Sequence, residues 1–471
     1  MNQESKRVAI IGGGITGLTI AYYLQKETLA KGLPIEYNLY ELNNKLGGKI
    51  DTDYTKGFVI EKGPDSFLAR KLSASKLAKE VGLEKELVYN DTGQSYVLKG
   101  NELYPIPGGA IMGIPTKIGP FATTKLFSPL GKVRAAADVF IPRTSDPNQD
   151  QSLGSFFRKR LGNEVVDNLI EPLLSGIYAG DIDRLSLMAT FPQFHQVEQK
   201  HRSLILGMKK SIPKPPKIVQ PAKPKGMFLS FKRGLSSFVD SIENHLDEDS
   251  VNKGLGVEKI TQNADKSFEI RLTNGESETY DRVVVTTPQH VTRNMLREYD
   301  FLSYLEEMPS TSVATVALAF PLDKLDVEVT GTGFLVAKKS DYSITACTWT
   351  HKKWKHSTPE GYALLRCYVG RFGDDAIVNE SDETILHVVL NDLKRTMNIE
   401  APPEFYRITR WKESMPQYMV GHKQKIDYLK KKVATELQGL YVAGAPYEGL
   451  GLPDCIDQGE KVTEQILASL K

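Results

Sequence analysis

Little in this chain points to metal or disulfide chemistry. Its 471 residues include three cysteines, Cys347, Cys367 and Cys455, with no CxxC pair and one thiol left over. That excludes a disulfide framework and a cysteine-based zinc site, and it fits a reducing compartment. The eight histidines show neither HxxxH nor HExxH spacing, so helical pairs of metal ligands are lacking. Net charge is nearly absent: 60 Lys and Arg against 58 Asp and Glu leave +2. Such a balance supplies no general field for nucleic acid or an anionic membrane, and any basic partner site must be local. Apolar stretches stop well short of a membrane-spanning run, and no targeting segment is recognisable. Cytoplasm is therefore the default expectation, with a peripheral membrane contact left open. What the chain does have is length: at about 150 residues per domain it has room for roughly three domains and a large core. If a prosthetic group is present, it is expected to be organic, with no metal.

The N-terminus carries the strongest local signal. Lys6-Arg7 followed by Val8-Ala9-Ile10-Ile11 has the start of a signal peptide, but Gly12-Gly13-Gly14 breaks the apolar segment after four residues. A strand, a glycine turn and a helix from Gly17 to about Lys31 fit better. In Gly12-Gly13-Gly14-Ile15-Thr16-Gly17 the first motif glycine, Gly12, permits a tight turn and the second, Gly14, lets backbone approach a pyrophosphate. The third, Gly17, allows close helix–strand packing. The helix N-terminus then faces the phosphates. A second strand, Ile35 to Tyr40, leads to Glu41, placed to bind ribose hydroxyls. This is a complete βαβ dinucleotide unit. Glu41 without an adjacent arginine disfavours the 2′-phosphate of NADP and leaves NAD and FAD open.

Lys45-Leu46-Gly47-Gly48-Lys49 resembles the R-x-G-G-R element of amine-oxidase-like flavoproteins, with lysines in place of both arginines. A lysine keeps the charge and loses the planar fork. Residues 440–464 read as a short strand, a glycine-rich loop and a helix opened by Pro453, similar to the C-terminal return of the FAD amine-oxidase superfamily. Ala445 departs from that pattern, since many relatives carry an acid there. Longer strings carry a more specific resemblance: Gly57 to Phe67, Glu171-Pro172-Leu173-Leu174-Ser175-Gly176-Ile177-Tyr178-Ala179-Gly180-Asp181, Arg410 to Tyr418, and Gly451 to Gly459. The chain resembles, nearly end to end, the bacterial porphyrinogen oxidases of haem biosynthesis, among them the coproporphyrinogen III oxidases.

The resemblance implies an α/β fold: a discontinuous Rossmann-like FAD-binding domain, a mixed-sheet substrate domain and a helical insertion. The expected boundaries are 1–81, 204–290 and 406–471 for the FAD domain, 82–203 for the insertion and 291–405 for the substrate sheet. In relatives the helical part sits beside the substrate entrance and can touch a membrane; the apolar stretch Phe121 to Leu130 suits either that or a helix–helix core. From Gln199 to Val239 the chain has ten Lys or Arg, no acid and five central prolines, the composition of a mobile basic loop. Helices are expected near Lys132 to Phe140, Ser152 to Leu169 and Glu383 to Met397, and strands at Val251 to Ile260, Phe268 to Thr273 and Val283 to Thr287. Asn274-Gly275 marks a hairpin turn.

By the same resemblance FAD is held non-covalently by Gly12, Gly13, Gly14, Ile15, Thr16, Gly17, Glu41, Leu42, Lys49, Gly63, Pro64, Asp65, Ser66, Val257, Trp411, Gly451, Leu452 and Pro453, with Tyr418 approaching the flavin. Nothing near Cys455 depresses its pKa, which argues against a covalent flavin bond. Lys71 is the preferred catalytic-site residue, a cation for the substrate's carboxylates. Arg70 is a second, and Tyr178 is expected to stack on a pyrrole or line the cavity. The implied reaction converts coproporphyrinogen III to coproporphyrin III with dioxygen as acceptor and hydrogen peroxide as by-product, and calls for no obligatory catalytic base. Coproporphyrinogen carries four propionates and protoporphyrinogen IX two, so the former gains more from a cationic rim. Protoporphyrinogen IX oxidation and a non-catalytic carrier on the same fold are the alternatives, and a transient contact with a downstream haem-pathway enzyme stays open.

Overall fold

A computed structural model describes residues 5–91, 93–211, 226–325 and 330–470. They fall into two compact units: Met1–Tyr89, Met227–Pro309 and Gln424–Lys471 form one, and Asn90–Gly226 with Ser310–Lys423 the other.

The first unit is built on a five-stranded parallel sheet. Its elements are β1 (Lys6–Ile11), α1 (Ile15–Lys31), β2 (Ile35–Glu41), α2 (Leu72–Glu80), β3 (Val251–Lys253), β4 (Arg282–Val285), β5 (Leu440–Val442) and α3 (Leu452–Ser469), with strand order β3-β2-β1-β4-β5. Both sheet faces are covered, which explains the unbroken apolar run of β1. Val8 and Ile10 join Leu39 and Val284 in a core with Leu18 and Leu24 of α1 and Ile456 and Ile466 of α3. Ala9 and Ile11 turn the other way, toward Tyr40, Val283, Val285 and Ile270. Helix α1 begins at Gly14 and ends at Gly32, whose φ of 60° is left-handed.

The expected strand from Val251 to Ile260 is two strands. Gly254, at φ 74°, turns the chain so that its N–H and that of Leu255 donate to the carbonyls of Asn43 and Glu41. Residues 251–253 therefore close the parallel sheet, while Val257–Gln262 starts a separate antiparallel meander through Phe268–Leu272 and Ser277–Tyr280, with Gly275 in the hairpin turn.

The second unit contains a seven-stranded mixed sheet in the order Phe405–Pro416, Ser310–Pro321, Tyr362–Val369, Ile344–Trp349, Gly333–Val336, Ser95–Lys99 and Glu102–Pro105. Helix Asp382–Met397 covers one face through Ile385, Val389 and Leu393. All four expected boundaries differ: 81/82, 203/204, 290/291 and 405/406 fall instead at Tyr89/Asn90, Gly226/Met227, Pro309/Ser310 and Lys423/Gln424. Ser95–Lys99 pairs in parallel with Gly333–Val336, so the 82–203 segment contributes strands as well as helices to this unit. Phe405–Pro416 pairs along Ser310–Pro321 and belongs to this sheet. Residues 291–309 pack instead in the first unit, where Met295, Leu302 and Leu305 are core. The expected Ser152–Leu169 helix is interrupted by Gly162, at φ 83°, and continues through a π-helical turn at Val166–Ile170 into Glu171–Tyr178. The Lys132–Phe140 helix is Pro129–Ala136 followed by a 3₁₀ turn at Ala137–Val139.

Of the basic 199–239 segment, residues 204–211 are helical, and Phe228–Phe231 and Ser236–Glu243 enter a strand and a helix of the first unit. Its prolines, Pro213, Pro215, Pro216, Pro221 and Pro224, lie outside the described residues. In the Phe121–Leu130 stretch Leu126 and Phe127 are core whereas Leu130 is exposed. No described helix is long and apolar enough to cross a membrane.

Candidate functional site

Parallel strands put the N-termini of the helices that follow them at one sheet edge, and the first unit places two there. Leu18 N is the first in α1 to donate to Gly14 O, so Ile15, Thr16 and Gly17 present N–H groups that the helix itself does not use. Gly14 caps this end without a side chain, and a Cβ on it would meet nothing within 4 Å. Gly17 does the opposite: a Cβ there would stand 1.9 Å from the Gly12 carbonyl oxygen. Gly12, at φ 108°, would push a Cβ to 2.7 Å from Thr286 Oγ1, which itself donates to the Ile11 and Gly12 carbonyls. The loop is thus clamped on one side and open on the other, a shape that admits a pyrophosphate against backbone N–H groups.

Glu41 is buried at the end of β2. Its Oε2 accepts from Gly13 N at 2.8 Å, and Oε1 accepts from Asn43 N at 2.9 Å and Asn43 Nδ2 at 2.7 Å. Leu42 is exposed beside it, and Gly256 approaches closely enough that a Cβ would meet Leu42 Cδ1 at 2.8 Å. Val257 follows, half-buried, so the adenosine-end candidates Glu41, Leu42 and Val257 are brought together.

The glycine pair after β2 returns to the same loop. Gly47 N donates to Gly13 O at 2.8 Å, and a Cβ on Gly48 would lie 3.3 Å from Gly14 Cα. Lys49 follows, and burial pushes its amine down to about 8. A lysine held where its charge is disfavoured gains most from an anion brought beside it. Cys455 stands near Lys49 and Thr16; burial pushes its thiol up to about 11, the state of a packed thiol rather than a nucleophile.

The second N-terminus is that of α3, capped by Gly451, with Leu452 and Pro453 buried behind it. Asp454 in its first turn is bonded to Lys71 at the N-cap of α2, and Ser73 Oγ donates to Pro453 O at 3.0 Å. Arg70 is exposed. Gly63, Pro64, Asp65 and Ser66 form a half-buried loop in which Ser66 Oγ donates to Asp65 Oδ1.

Three aromatic candidates belong to the second unit. Trp411 lies in the strand Phe405–Pro416 opposite Val313. Tyr178 is buried, its ring 5.6 Å from that of Tyr418 and edge-on to Phe191. Tyr418 is stacked on His422 at 4.0 Å. The sequence reading did not single out Asn43, Thr286, Gly444 or Gly459. Gly444, at φ 114°, presents its open side to Thr16 Oγ1, and a Cβ on Gly459 would collide with Thr19, so α1 and α3 touch backbone to side chain. The glycine density after Leu440 was the available signal for both glycines; the roles of Asn43 and Thr286 depend on loop geometry.

These features fit FAD: two glycine-capped helix N-termini, a lysine desolvated beside the glycine loop, a buried acid at the end of the second strand and a protonated thiol compatible with non-covalent binding. The flavin containing amine oxidoreductase model matches residues 15–467. The chain is 53% identical over 470 residues to the coproporphyrinogen III oxidase of Bacillus subtilis (strain 168), spanning 100% of each. It is 47% identical to the coproporphyrinogen III oxidase of Staphylococcus aureus (strain NCTC 8325 / PS 47), over 99% of this chain and 100% of that one. A crystal structure from Exiguobacterium sp. 255-15, provisionally named a protoporphyrinogen oxidase, superposes with a TM-score of 0.89 at 38% identity, covering 99% of this chain and 100% of the other.

Proposed function

The chain belongs to the flavin containing amine oxidoreductases, and from that premise we propose that it oxidises coproporphyrinogen III to coproporphyrin III, with dioxygen as acceptor and hydrogen peroxide as by-product. The observation that carries this reading is identity of 53% with a coproporphyrinogen III oxidase along the whole chain, with the dinucleotide loop intact. FAD, when bound, supplies the hydride acceptor and the reaction with dioxygen.

The protein's own residues bind, orient and exclude. The N–H groups of Ile15, Thr16 and Gly17, with Gly12, Gly13 and Gly14 shaping the loop, hold the pyrophosphate, and Lys49 neutralises it. Glu41 takes the ribose hydroxyls on the carboxylate edge left by Gly13 and Asn43, and Leu42 and Val257 flank the adenine. Gly451, Leu452 and Pro453 present a second helix N-terminus to the cofactor. Gly63, Pro64, Asp65 and Ser66 would hold it as well, and Trp411 would be a further flavin contact, as the family resemblance implies. Lys71, oriented by Asp454, receives a propionate, with Arg70 as an outer cation; Tyr178 lines the macrocycle's cavity. Four propionates on the substrate fit a cationic rim better than two, which favours coproporphyrinogen over protoporphyrinogen IX. The partners proposed are the porphyrinogen and dioxygen, with a peripheral membrane contact and a transient contact with the next haem-pathway enzyme as further options; the placement is cytoplasmic.

Oxygen and peroxide electrodes run beside porphyrin fluorescence test the reaction. FAD-loaded protein is expected to use three dioxygen and form three hydrogen peroxide per coproporphyrin III. Porphyrin formation without oxygen consumption above the no-enzyme control would overturn the oxidase assignment.

A further inference from the structure

The seven-stranded sheet of the second unit has an apolar face and a polar face. Val316, Leu318, Leu365, Cys367, Tyr406 and Ile408 turn to the core under helix Asp382–Met397. Strand residues alternate, so Ala317, Arg366, Arg407 and Trp411 stand on the opposite face. The register sets two of them in one row: Ala317 is opposite Arg407 on one side and Arg366 on the other, with Thr348 beyond Arg366. Thr315, flanked by Thr409 and Tyr368, forms the next row.

The polar face of an antiparallel sheet ordinarily turns to water. Here Arg366 is only 3% exposed, and Thr315 and Ala317 are buried beside it. A guanidinium stays charged in an interior, where its attraction for an anion is stronger than in water. The Arg366 guanidinium lies 5.1 Å from the centre of the Tyr368 ring. That of Arg407 lies 5.3 Å from the Phe405 ring, and its Nη1 donates to Tyr406 O at 2.9 Å. Such ring and carbonyl contacts orient a planar fork while leaving its charge in place. Between the two arginines Ala317 adds only a methyl group, so the forks flank a gap two strand spacings wide, about 10 Å from Cα to Cα. Trp411, read above as a flavin contact, is four residues from Arg407 on the same strand and face, about 13 Å along it.

We propose that Arg366 and Arg407 form a paired carboxylate site for the two propionates that coproporphyrinogen III and protoporphyrinogen IX have in common. The inference rests on the porphyrinogen oxidase reading and on Trp411 marking the flavin end of this face. In both substrates the shared propionates sit on neighbouring pyrroles and flank one meso carbon, so two carboxylates leave the macrocycle side by side. Two guanidinium forks on either side of a small residue match that pair, each able to take one carboxylate in bidentate fashion. The further two propionates of coproporphyrinogen, where protoporphyrinogen has vinyl groups, are left to Lys71 and Arg70. The arginine row is therefore the site that holds either substrate, and the Lys71 side is the one that discriminates between them. Arg366 and Arg407 are far apart in sequence and form no motif; the pairing of both strands with Ser310–Pro321 brings them together.

Equilibrium binding and kinetics test this together. FAD-loaded protein is titrated with coproporphyrin III and with protoporphyrin IX, the stable oxidised forms, by fluorescence. Arg366→Met and Arg407→Met are each expected to weaken both porphyrins about ten- to a hundredfold, and by the same factor for the two. The kcat/KM values for both porphyrinogens should fall in parallel, chiefly through KM, in contrast to Lys71→Ala, which spares protoporphyrinogen IX. Arg366→Lys and Arg407→Lys keep the charge without the fork and should recover part of the loss; they carry the test where a methionine variant fails to retain FAD. Variants that retain FAD and bind both porphyrins with wild-type affinity would overturn the inference. A loss confined to coproporphyrin III would overturn the assignment to the shared propionates. A wild-type protein that binds neither porphyrin and oxidises neither porphyrinogen would overturn the reaction assignment itself, and the inference with it.

Discussion

The carboxylate of Glu41 accepts a hydrogen bond from Gly13 N at 2.8 Å, tying the end of the second strand to the glycine loop that follows the first. One acid thus shapes the loop, and in the proposed function it also meets the nucleotide. Glu41→Ala should weaken FAD binding about ten- to a hundredfold, the effect of losing hydrogen bonds to a charged group, measured by titrating apoprotein and following flavin fluorescence. Glu41→Gln should fall between, because an amide oxygen can still accept from Gly13. Equal affinity in all three proteins would remove Glu41 from the site.

Gly17 tests the packing rather than the ligand. A Cβ placed 1.9 Å from a carbonyl oxygen forces backbone apart, so Gly17→Ala should destabilise the apoprotein by about 1–3 kcal/mol and abolish flavin retention. Gly14→Ala, whose Cβ meets nothing within 4 Å, should leave apoprotein melting unchanged and impair FAD binding alone. A matching loss of melting temperature in both would contradict the division of the loop into a clamped and an open side.

Lys49 carries a proton linkage of definite sign. Its amine is depressed to about 8 in the ligand-free protein, and a bound pyrophosphate raises it. FAD binding should therefore take up a proton between about pH 8 and 10, and affinity should fall as pH rises through that window. Calorimetry in buffers of different ionisation enthalpy reads the uptake, which Lys49→Met should eliminate. For stability the sign is opposite: the unfolded chain binds the Lys49 proton more tightly, so the apoprotein loses stability as pH drops from about 10 to 8.

Lys71 and Asp454 form an ion pair at the meeting of α2 and α3. Lys71→Ala should lower kcat/KM for coproporphyrinogen III about ten- to a hundredfold, chiefly through KM, and protoporphyrinogen IX less. Asp454→Asn should loosen Lys71 and give a smaller loss. An unchanged KM in Lys71→Ala would assign the pair to helix packing alone.

Much of the first unit was legible because its signals are local. Gly12, Gly14 and Gly17 have fixed spacing along one turn, the apolar run Val8 to Ile11 before them marks a strand buried on both sides, and Glu41 ends the next strand. The C-terminal loop was visible in its glycine density. The second unit is less legible, since its sheet is assembled from distant pieces: Ser95–Lys99 and Phe405–Pro416 find their partners only through long-range pairing. The break at Gly254 depends on tertiary bonds to Asn43 and Glu41 that no periodicity records. Val257 and Glu41 came together through that same break.

The measurement that bears most directly on the account is the ratio of kcat/KM for coproporphyrinogen III to that for protoporphyrinogen IX, in air, with FAD-reconstituted protein and an autoxidation control. The account predicts a ratio well above one. A preference for protoporphyrinogen IX, or no rate above autoxidation with either substrate, would contradict it.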